Sequence, residues 1–291
     1  MRTRAIVTII LTAGLSAILG GCMGMPPASV ARSGEATVEV GNGIIGTLNL
    51  PAGVKYPPAV LMLHGFGSSR DEVGNMYKQL ASELAAKGVA SLRIDFRGFG
   101  KSDGDTGATT VDGQVNDAET AYAYMIKSKA VDASRIGVIG FSLGGGISAV
   151  TCATHPDWFK SMVTWSSVGD FTKDFTEELG QETFDTARAK GVVGLDLGWR
   201  TIVLKKDFFD SLAKHDVAQA VSMFHGAYLA IAGSKDFSAA YAPEFVRSAP
   251  ANPKEAWIVP NGDHIYGVLG DSRVMADSVI AKTAEWFAKT L

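Results

Sequence analysis

The 291-residue chain is poor in the residues that build metal sites and disulfide frameworks. It holds two cysteines, Cys22 and Cys152, and five histidines, none of them in an HExxH pattern. Two thiols cannot form a disulfide scaffold, and no cysteine or histidine metal site is expected. Charge of one sign is also missing: 27 basic residues face 30 acidic ones, with no basic cluster. That balance argues against nucleic acid as a partner. There is no internal repeat and no low-complexity block, and the apolar share of 46% is ample for one large core.

A hydrophobic run long enough to cross a membrane is lacking as well. The N-terminal stretch Ala5–Leu19, after the basic start MRTR, falls short of the ~20 residues a spanning helix needs. It is instead expected to be a secretory signal. The following Leu19-Gly20-Gly21-Cys22 resembles the lipobox of bacterial lipoproteins, which implies lipidation of Cys22. Residues 1–21 are thus expected to be a signal peptide, 22–35 a lipidated tether and 36–291 the folded domain. The expected location is the cell envelope, after secretion across the bacterial inner membrane, with the membrane as partner through Cys22. Removing 1–21 takes away Arg2 and Arg4 and no acid, so the remainder is more acidic than the full chain's net charge of −3.

From residue 36 two kinds of segment take turns. ATVEV (36–40) and IIGTLNL (44–50) read as a hairpin, and AVLMLHG (59–65) as a strand buried on both faces. VASLRIDF (89–96), RIGVIGF (135–141), SMVTWSS (161–167), AYLAIAG (227–233) and AWIVPNG (256–262) are further strands. Between them lie helical stripes: Val73, Met76, Tyr77, Leu80 and Leu84; Val111, Val115, Ala118, Tyr122 and Met125; and, at the end, Met275, Val279, Thr283, Trp286 and Phe287. Such alternation predicts an α/β fold with a mostly parallel sheet covered by helices on both faces. Residues 168–226 break the rhythm and are expected to form a small helical cap with no strand.

Within this frame Ser142 is ringed by glycine, in VIGFSLGGGIS (138–148). Two phosphate-loop patterns elsewhere are decoys. GNGIIG (41–46) leads into a strand where a dinucleotide loop needs a helix, and GFGKS (98–102) has Asp95 in place of the first Walker glycine. No cofactor is expected. Gly140-Phe141-Ser142-Leu143-Gly144 fits G-x-S-x-G between a strand and a helix, the setting of a nucleophile elbow.

A serine hydroxyl needs a base. His64 stands in HGFG (64–67) and is expected to be structural; His155 ends a helix; His215 and His225 are expected at the surface. His264, in VPNGDHIYG after the last strand, is the candidate base. Asp236 directly follows the preceding strand and is the first choice for the orienting acid, with Asp170 in SSVGDF its rival. Asp263 is expected to brace its loop, and Asp95 and Arg97 to brace the one beside the site.

The order Ser142, Asp236, His264, with HGFG, DFRGFGKSDG and GFSLGG, resembles the α/β-hydrolase superfamily over residues 36–291, and within it bacterial esterases of the cinnamoyl/feruloyl type. Those esterases often carry histidine and glutamine around the serine, where this chain has Phe141 and Leu143. The resemblance implies a serine hydrolase acting on small carboxylic esters through an acyl-enzyme, with backbone N–H groups of Phe66 and Leu143 as the oxyanion hole. Thioesterase, amidase or peptidase, and perhydrolase chemistry share the fold. A surface-binding lipoprotein without catalysis is the reading from another class. In the insertion, Phe171, Phe175 and Leu179 form a stripe, joined by Trp199, Phe208 and Phe209. They are expected either to line an acyl pocket or to pack a core.

The anchor is directly testable. Cys22→Ser in the full-length precursor is expected to move the protein from the membrane fraction to soluble or unprocessed forms, since several acyl chains hold firmly where one binds only marginally. An unmodified Cys22 in the mature wild-type protein, seen by mass spectrometry, contradicts this.

Overall fold

The computed structural model describes residues 33–198 and 200–291. The signal peptide, Cys22 and Trp199 therefore lie outside the described residues, as does most of the tether.

Strands β1 (Gly34–Gly41) and β2 (Ile44–Leu50) form the expected hairpin, closed by Asn42 and Gly43, both at positive φ as a tight hairpin turn requires. The next strands are β3 (Ala59–Leu63), β4 (Ala90–Ile94), β5 (Ile136–Phe141) and β6 (Ser161–Trp165), then, beyond the insertion, Ala227–Gly233 and Lys254–Val259. The insertion itself contains two strands, β7 (Val192–Asp196) and β8 (Thr201–Lys205), so the last two strands of the sheet are β9 and β10. The sheet has eight strands in the order β1-β2-β4-β3-β5-β6-β9-β10. β1 pairs antiparallel with β2 and β2 antiparallel with β4, and every pairing from β4 to β10 is parallel.

The sequence AVLML of β3 shows how the two cores arise. Successive side chains of a strand point to opposite faces. Ala59, Leu61 and Leu63 enter one cluster, while Val60 and Met62 enter the other. Helices α1 (Met76–Ala86) and α9 (Val274–Thr290) cover the second cluster through Met76, Tyr77, Leu80, Leu84, Val279, Ile280 and Phe287. Helices α2 (Val111–Ser128) and α3 (Leu143–Thr154) cover the first. The predicted stripes of α1, α2 and α9 are the buried faces, apart from the half-buried Val73, Tyr122 and Met275 at their margins.

The insertion is a correction. Besides α4 (Phe171–Leu179), α5 (Gln181–Lys190), α6 (Lys206–Leu212) and α7 (Val217–Ser222), it carries the β7–β8 hairpin, a second sheet of two antiparallel strands. Their outward residues Val192 and Val203 are exposed and their inward Leu195, Ile202 and Leu204 buried, the alternation of a one-sided sheet. Phe171, Phe175, Phe208 and Phe209 are all buried and belong to the main cluster, so of the two expectations core packing holds. Helix α8 (Tyr241–Ser248) was not read from the sequence; it packs Ala242 and Phe245 inward.

Beyond β4 the chain is held by a buried ion pair. The Asp95 carboxylate is wholly buried, binds the Arg70 guanidinium, and accepts the backbone N–H of Arg70 (2.7 Å) and of Lys101 (2.9 Å). Arg97 is tied by its own N–H, at 2.8 Å, to the buried Asp117. His64 is also buried, between the rings of Phe96 and Phe99. Its Nε2 accepts the Phe96 N–H at 3.1 Å, which leaves Nδ1 to donate to the Gly65 carbonyl at 2.8 Å. Burial, aided by the charge of Arg200, pushes its pKa down to about 4 despite that bond and Asp95.

Two outcomes follow. Asp95→Ala, which strands the Arg70 guanidinium, is expected to lower stability by about 3–5 kcal/mol, read from the urea midpoint at unchanged slope. For His64, the unfolded chain takes up a proton near pH 6.5 that the folded chain refuses until about pH 4. Its contribution to stability is thus full above pH 6.5 and is lost as the pH falls to about 4, by an order of ~3 kcal/mol. His64→Gln is expected to flatten that slope, measured by denaturation across the same range.

Candidate active site

Ser142 is the single residue between β5 and α3, at φ 54 and ψ −118. Positive φ is uncommon for a residue with a side chain, and this conformation persists only because its surroundings impose it. The Ser142 N–H donates to Trp165 C=O (2.9 Å), and its own carbonyl accepts from Gly145 (2.9 Å) and Val168 (3.3 Å). A Cβ at position 140 would lie 1.9 Å from the Gly144 carbonyl oxygen, and one at 144 would lie 2.2 Å from that of Leu63. Only glycine fits either place. The hydroxyl is left partly exposed at the C-terminal edge of the sheet and makes no hydrogen bond among the described residues.

The loops after β9 and β10 meet through another close approach. A Cβ on Gly233 would sit 2.4 Å from the Gly262 carbonyl oxygen, and Lys235 N–H donates to that oxygen at 2.8 Å. This contact brings Asp236 to His264: Nδ1 of the imidazole lies 3.0 Å from Oδ1 of the carboxylate. Asp236 is nearly buried (3% exposed) and His264 is not (35%). Burial opposes ionisation of Asp236, but His264 and the hydroxyl of Ser238 outweigh it and hold the carboxyl below the usual carboxylate range. Asp263 accepts the N–H groups of Ile265 (3.1 Å) and Gly267 (2.8 Å), a brace for the histidine loop.

His264 stands between two aromatic rings. Phe141, beside the serine, has its centroid 5.1 Å away, and Phe237 stacks on the imidazole at 5.4 Å and 25°. Phe237 is 44% exposed, so its free face borders solvent next to the histidine. Adjacency of Phe141 to Ser142 and of Phe237 to Asp236 is the only signal of this arrangement in the sequence.

Asp170 makes no hydrogen bond to His264. It is an exposed N-cap of α4 and accepts the Lys173 N–H at 2.9 Å. The other histidines also have duties elsewhere: His155 pairs with Glu119 at 2.7 Å and stacks on Trp158, and His215 pairs with Asp112 at 2.7 Å. Phe66 is wedged against Phe208 (5.5 Å) and Phe175 (5.1 Å) of the insertion, and Arg200 donates to the Gly67 carbonyl at 2.9 Å. Neither Phe66 N–H nor Leu143 N–H has a hydrogen-bond partner among the described residues. One carboxylate was missed: Glu72 is buried, and its Oε1 accepts the Gly65 N–H at 2.5 Å. In the sequence it stands directly before the helical stripe that starts at Val73, whereas α1 begins at Met76. Among the described residues no group of three His, Cys, Asp or Glu is placed to hold a metal ion.

Comparison with known proteins bears on this geometry. Residues 56–192 match the family described as Serine aminopeptidase, S33. An uncharacterised 31.7 kDa protein of Escherichia coli is 32% identical over 108 residues, 37% of this chain, and the chain spans only 37% of that relative's length. Esterase EstD of Thermotoga maritima is 34% identical over 107 residues, 35% of this chain and 26% of EstD. Among solved structures, Est1E from Butyrivibrio proteoclasticus with ferulic acid bound has a TM-score of 0.72 at 21% identity, covering 88% of this chain and 98% of Est1E. The sequence matches support a serine hydrolase. The structural likeness agrees with the parallel sheet and the strand–serine–helix turn on it: the chain has the α/β-hydrolase fold.

Proposed function

We propose that the protein hydrolyses small carboxylic esters, with Ser142 as nucleophile, His264 as base and Asp236 as orienting acid. The observation that carries this reading is the 3.0 Å contact between His264 Nδ1 and Asp236 Oδ1, with the imidazole against the ring of Phe141, the residue before a serine held at φ 54. With Nδ1–H engaged by the carboxylate, Nε2 is the nitrogen free to take the Ser142 proton. The serine oxygen then bonds to the ester carbonyl carbon. The carbonyl oxygen gains the negative charge, received by the unpartnered N–H groups of Phe66 and Leu143. Leu143 opens α3, so the helix's partial positive end adds to this. Collapse of that intermediate expels the alcohol, which takes the proton from His264. Water, deprotonated by His264, then attacks the acyl-enzyme and releases the acid and the serine.

The substrate class rests on what surrounds the histidine. The described phenylalanines of the insertion are committed to the core, which leaves the free face of Phe237 as exposed apolar surface beside His264. Such a surface suits short acyl chains of about C2–C8, each methylene adding about 0.8 kcal/mol only while it stays covered. Esters of aromatic acids are a further candidate, since Est1E was solved with ferulic acid. The family description as an aminopeptidase favours amide cleavage as the second reading. The proposed setting is the cell envelope, with the membrane reached through a lipid on Cys22.

One panel tests chemistry and substrate together. Ser142→Ala and His264→Ala are each expected to lower kcat on p-nitrophenyl butyrate by about 10⁴–10⁶-fold, and the double variant by little more. Asp236→Asn should cost about 10⁴-fold, while Asp170→Asn, which caps α4 and does not bond the imidazole, stays near wild type. Across p-nitrophenyl esters from about C2 to C16, kcat/KM should peak at short chains. Folded Ser142→Ala with normal activity refutes the mechanism; a maximum at long chains refutes the substrate class; a higher kcat/KM for aminoacyl anilides than for any ester favours the second reading.

A further inference from the structure

Glu72 is a buried carboxylate that the mechanism above does not use. Its backbone stands at φ 60 and ψ 174, a region that residues with a Cβ almost never enter. Such a conformation persists only where surrounding contacts impose it, and here they are numerous. Oε1 accepts the Gly65 N–H at 2.5 Å, and Oε2 accepts the Ser68 hydroxyl and the Val73 N–H, both at 3.0 Å. Burial pushes the carboxyl above its ordinary range, and these three donors, with the charge of His264, oppose the shift.

Gly65, the residue Glu72 grips, lies directly against the nucleophile. A Cβ there would come within 3.3 Å of Ser142 Cβ and 2.9 Å of the Phe141 ring. A glycine holds its own torsions poorly, so the two peptide planes that meet at Gly65 need outside support. The plane after it has that support, because its C=O accepts from His64 Nδ1–H (2.8 Å) and from Ser68 N–H (3.3 Å). In a planar trans peptide the C=O and the N–H point in opposite directions. Tying the Gly65 carbonyl to one side therefore turns the Phe66 N–H to the other. The plane before Gly65 is fixed by Glu72 alone among side chains. Ser68, the next anchor of the turn, is held by the same carboxylate.

We propose that Glu72 is a positioning residue: its carboxylate clamps the Gly65 and Ser68 ends of the loop that presents the Phe66 N–H to the oxyanion. The proposal rests on the hydrolase reading above. The role requires the ionised form, since a protonated oxygen would face a donor with a donor. It also acts on the transition state more than on the bound ester, because the oxyanion exists only there.

The test separates this from a general structural role. In Glu72→Ala, kcat on p-nitrophenyl butyrate is expected to fall by about 10²–10³-fold with KM within about threefold. Affinity for a phenylboronic acid, which mimics the tetrahedral intermediate, should fall in parallel. Complete end-point labelling of Ser142 by a fluorophosphonate establishes that the variant is folded with its nucleophile intact. Glu72→Gln keeps an acceptor for Gly65 but loses the anionic oxygen for Ser68 and Val73, and an intermediate loss of about tenfold in kcat is expected. If the alanine variant does not fold, the glutamine variant carries the test. Wild-type kcat in Glu72→Gln, or a loss in Glu72→Ala that falls on KM and spares boronate affinity, overturns the proposal. Ser142→Ala run alongside distinguishes the two claims. An inactive serine variant beside a fully active Glu72→Ala sinks the clamp alone, and an active one sinks the hydrolase reading and the clamp with it.

Discussion

Two backbone segments can approach as closely as they do around Ser142 only because positions 140 and 144 carry no side chain. Gly144 lies against the carbonyls of Leu63 and His64, which end β3, while Gly140 lies against the first turn of α3. That contact sets the distance between the serine and the 64–68 loop, and so the position of every group that loop presents. The parallel sheet supplies the rest. Because β3, β5, β6, β9 and β10 run the same way, their C-terminal loops gather at one edge. His64, Ser142, Asp236 and His264 come from four of those loops, and Ser166, at positive φ after β6, from the fifth.

Polar groups at this edge are buried in pairs or chains, which keeps them from competing with the reacting centre. Ser166 donates to the Tyr266 hydroxyl, which donates to the Ile231 carbonyl, a buried chain beside the loops of Asp236 and His264. Desolvation pushes the Tyr266 hydroxyl far above the ordinary phenol range, so it stays neutral beside Asp236. Burying such groups is costly unless each finds a partner, and here each has one. Ser142 and His264 keep partial exposure, and Phe237 is exposed.

Much of this was legible in the sequence because strands buried on both faces announce themselves as unbroken apolar runs. AVLML, IGVIGF and AYLAIAG were found that way, and the glycines about Ser142 point to the turn they permit. The pairing of His264 with Asp236 is legible from chain order and their place after strands. What escaped detection was short or ambiguous. VVGLD and TIVLK are five-residue strands of a one-sided hairpin, weak in periodicity and interrupted by Gly194. Helix α8 has eight residues and a proline, Pro243, in its first turn. The Phe171–Phe175 stripe marks a buried face, but spacing cannot say whether that face meets a core or a ligand. Glu72 had no pattern to reveal it, because its partners are backbone N–H groups of a loop.

The contact of Phe66 with Phe175 and Phe208, together with the Arg200 bond to the Gly67 carbonyl, bears on how such a protein can diversify. An insertion that merely roofed the site could be exchanged for another without touching the reacting groups. Here the insertion holds the side chain of Phe66, which directly follows the Gly65 that lies against Ser142, and grips the carbonyl of Gly67. Replacing it shifts the turn beneath as well as the walls above. Modularity is thus limited: the outer faces of β7 and β8, with exposed Val192 and Val203, touch nothing in the 64–68 loop, whereas a change at position 175, 200 or 208 acts on it directly.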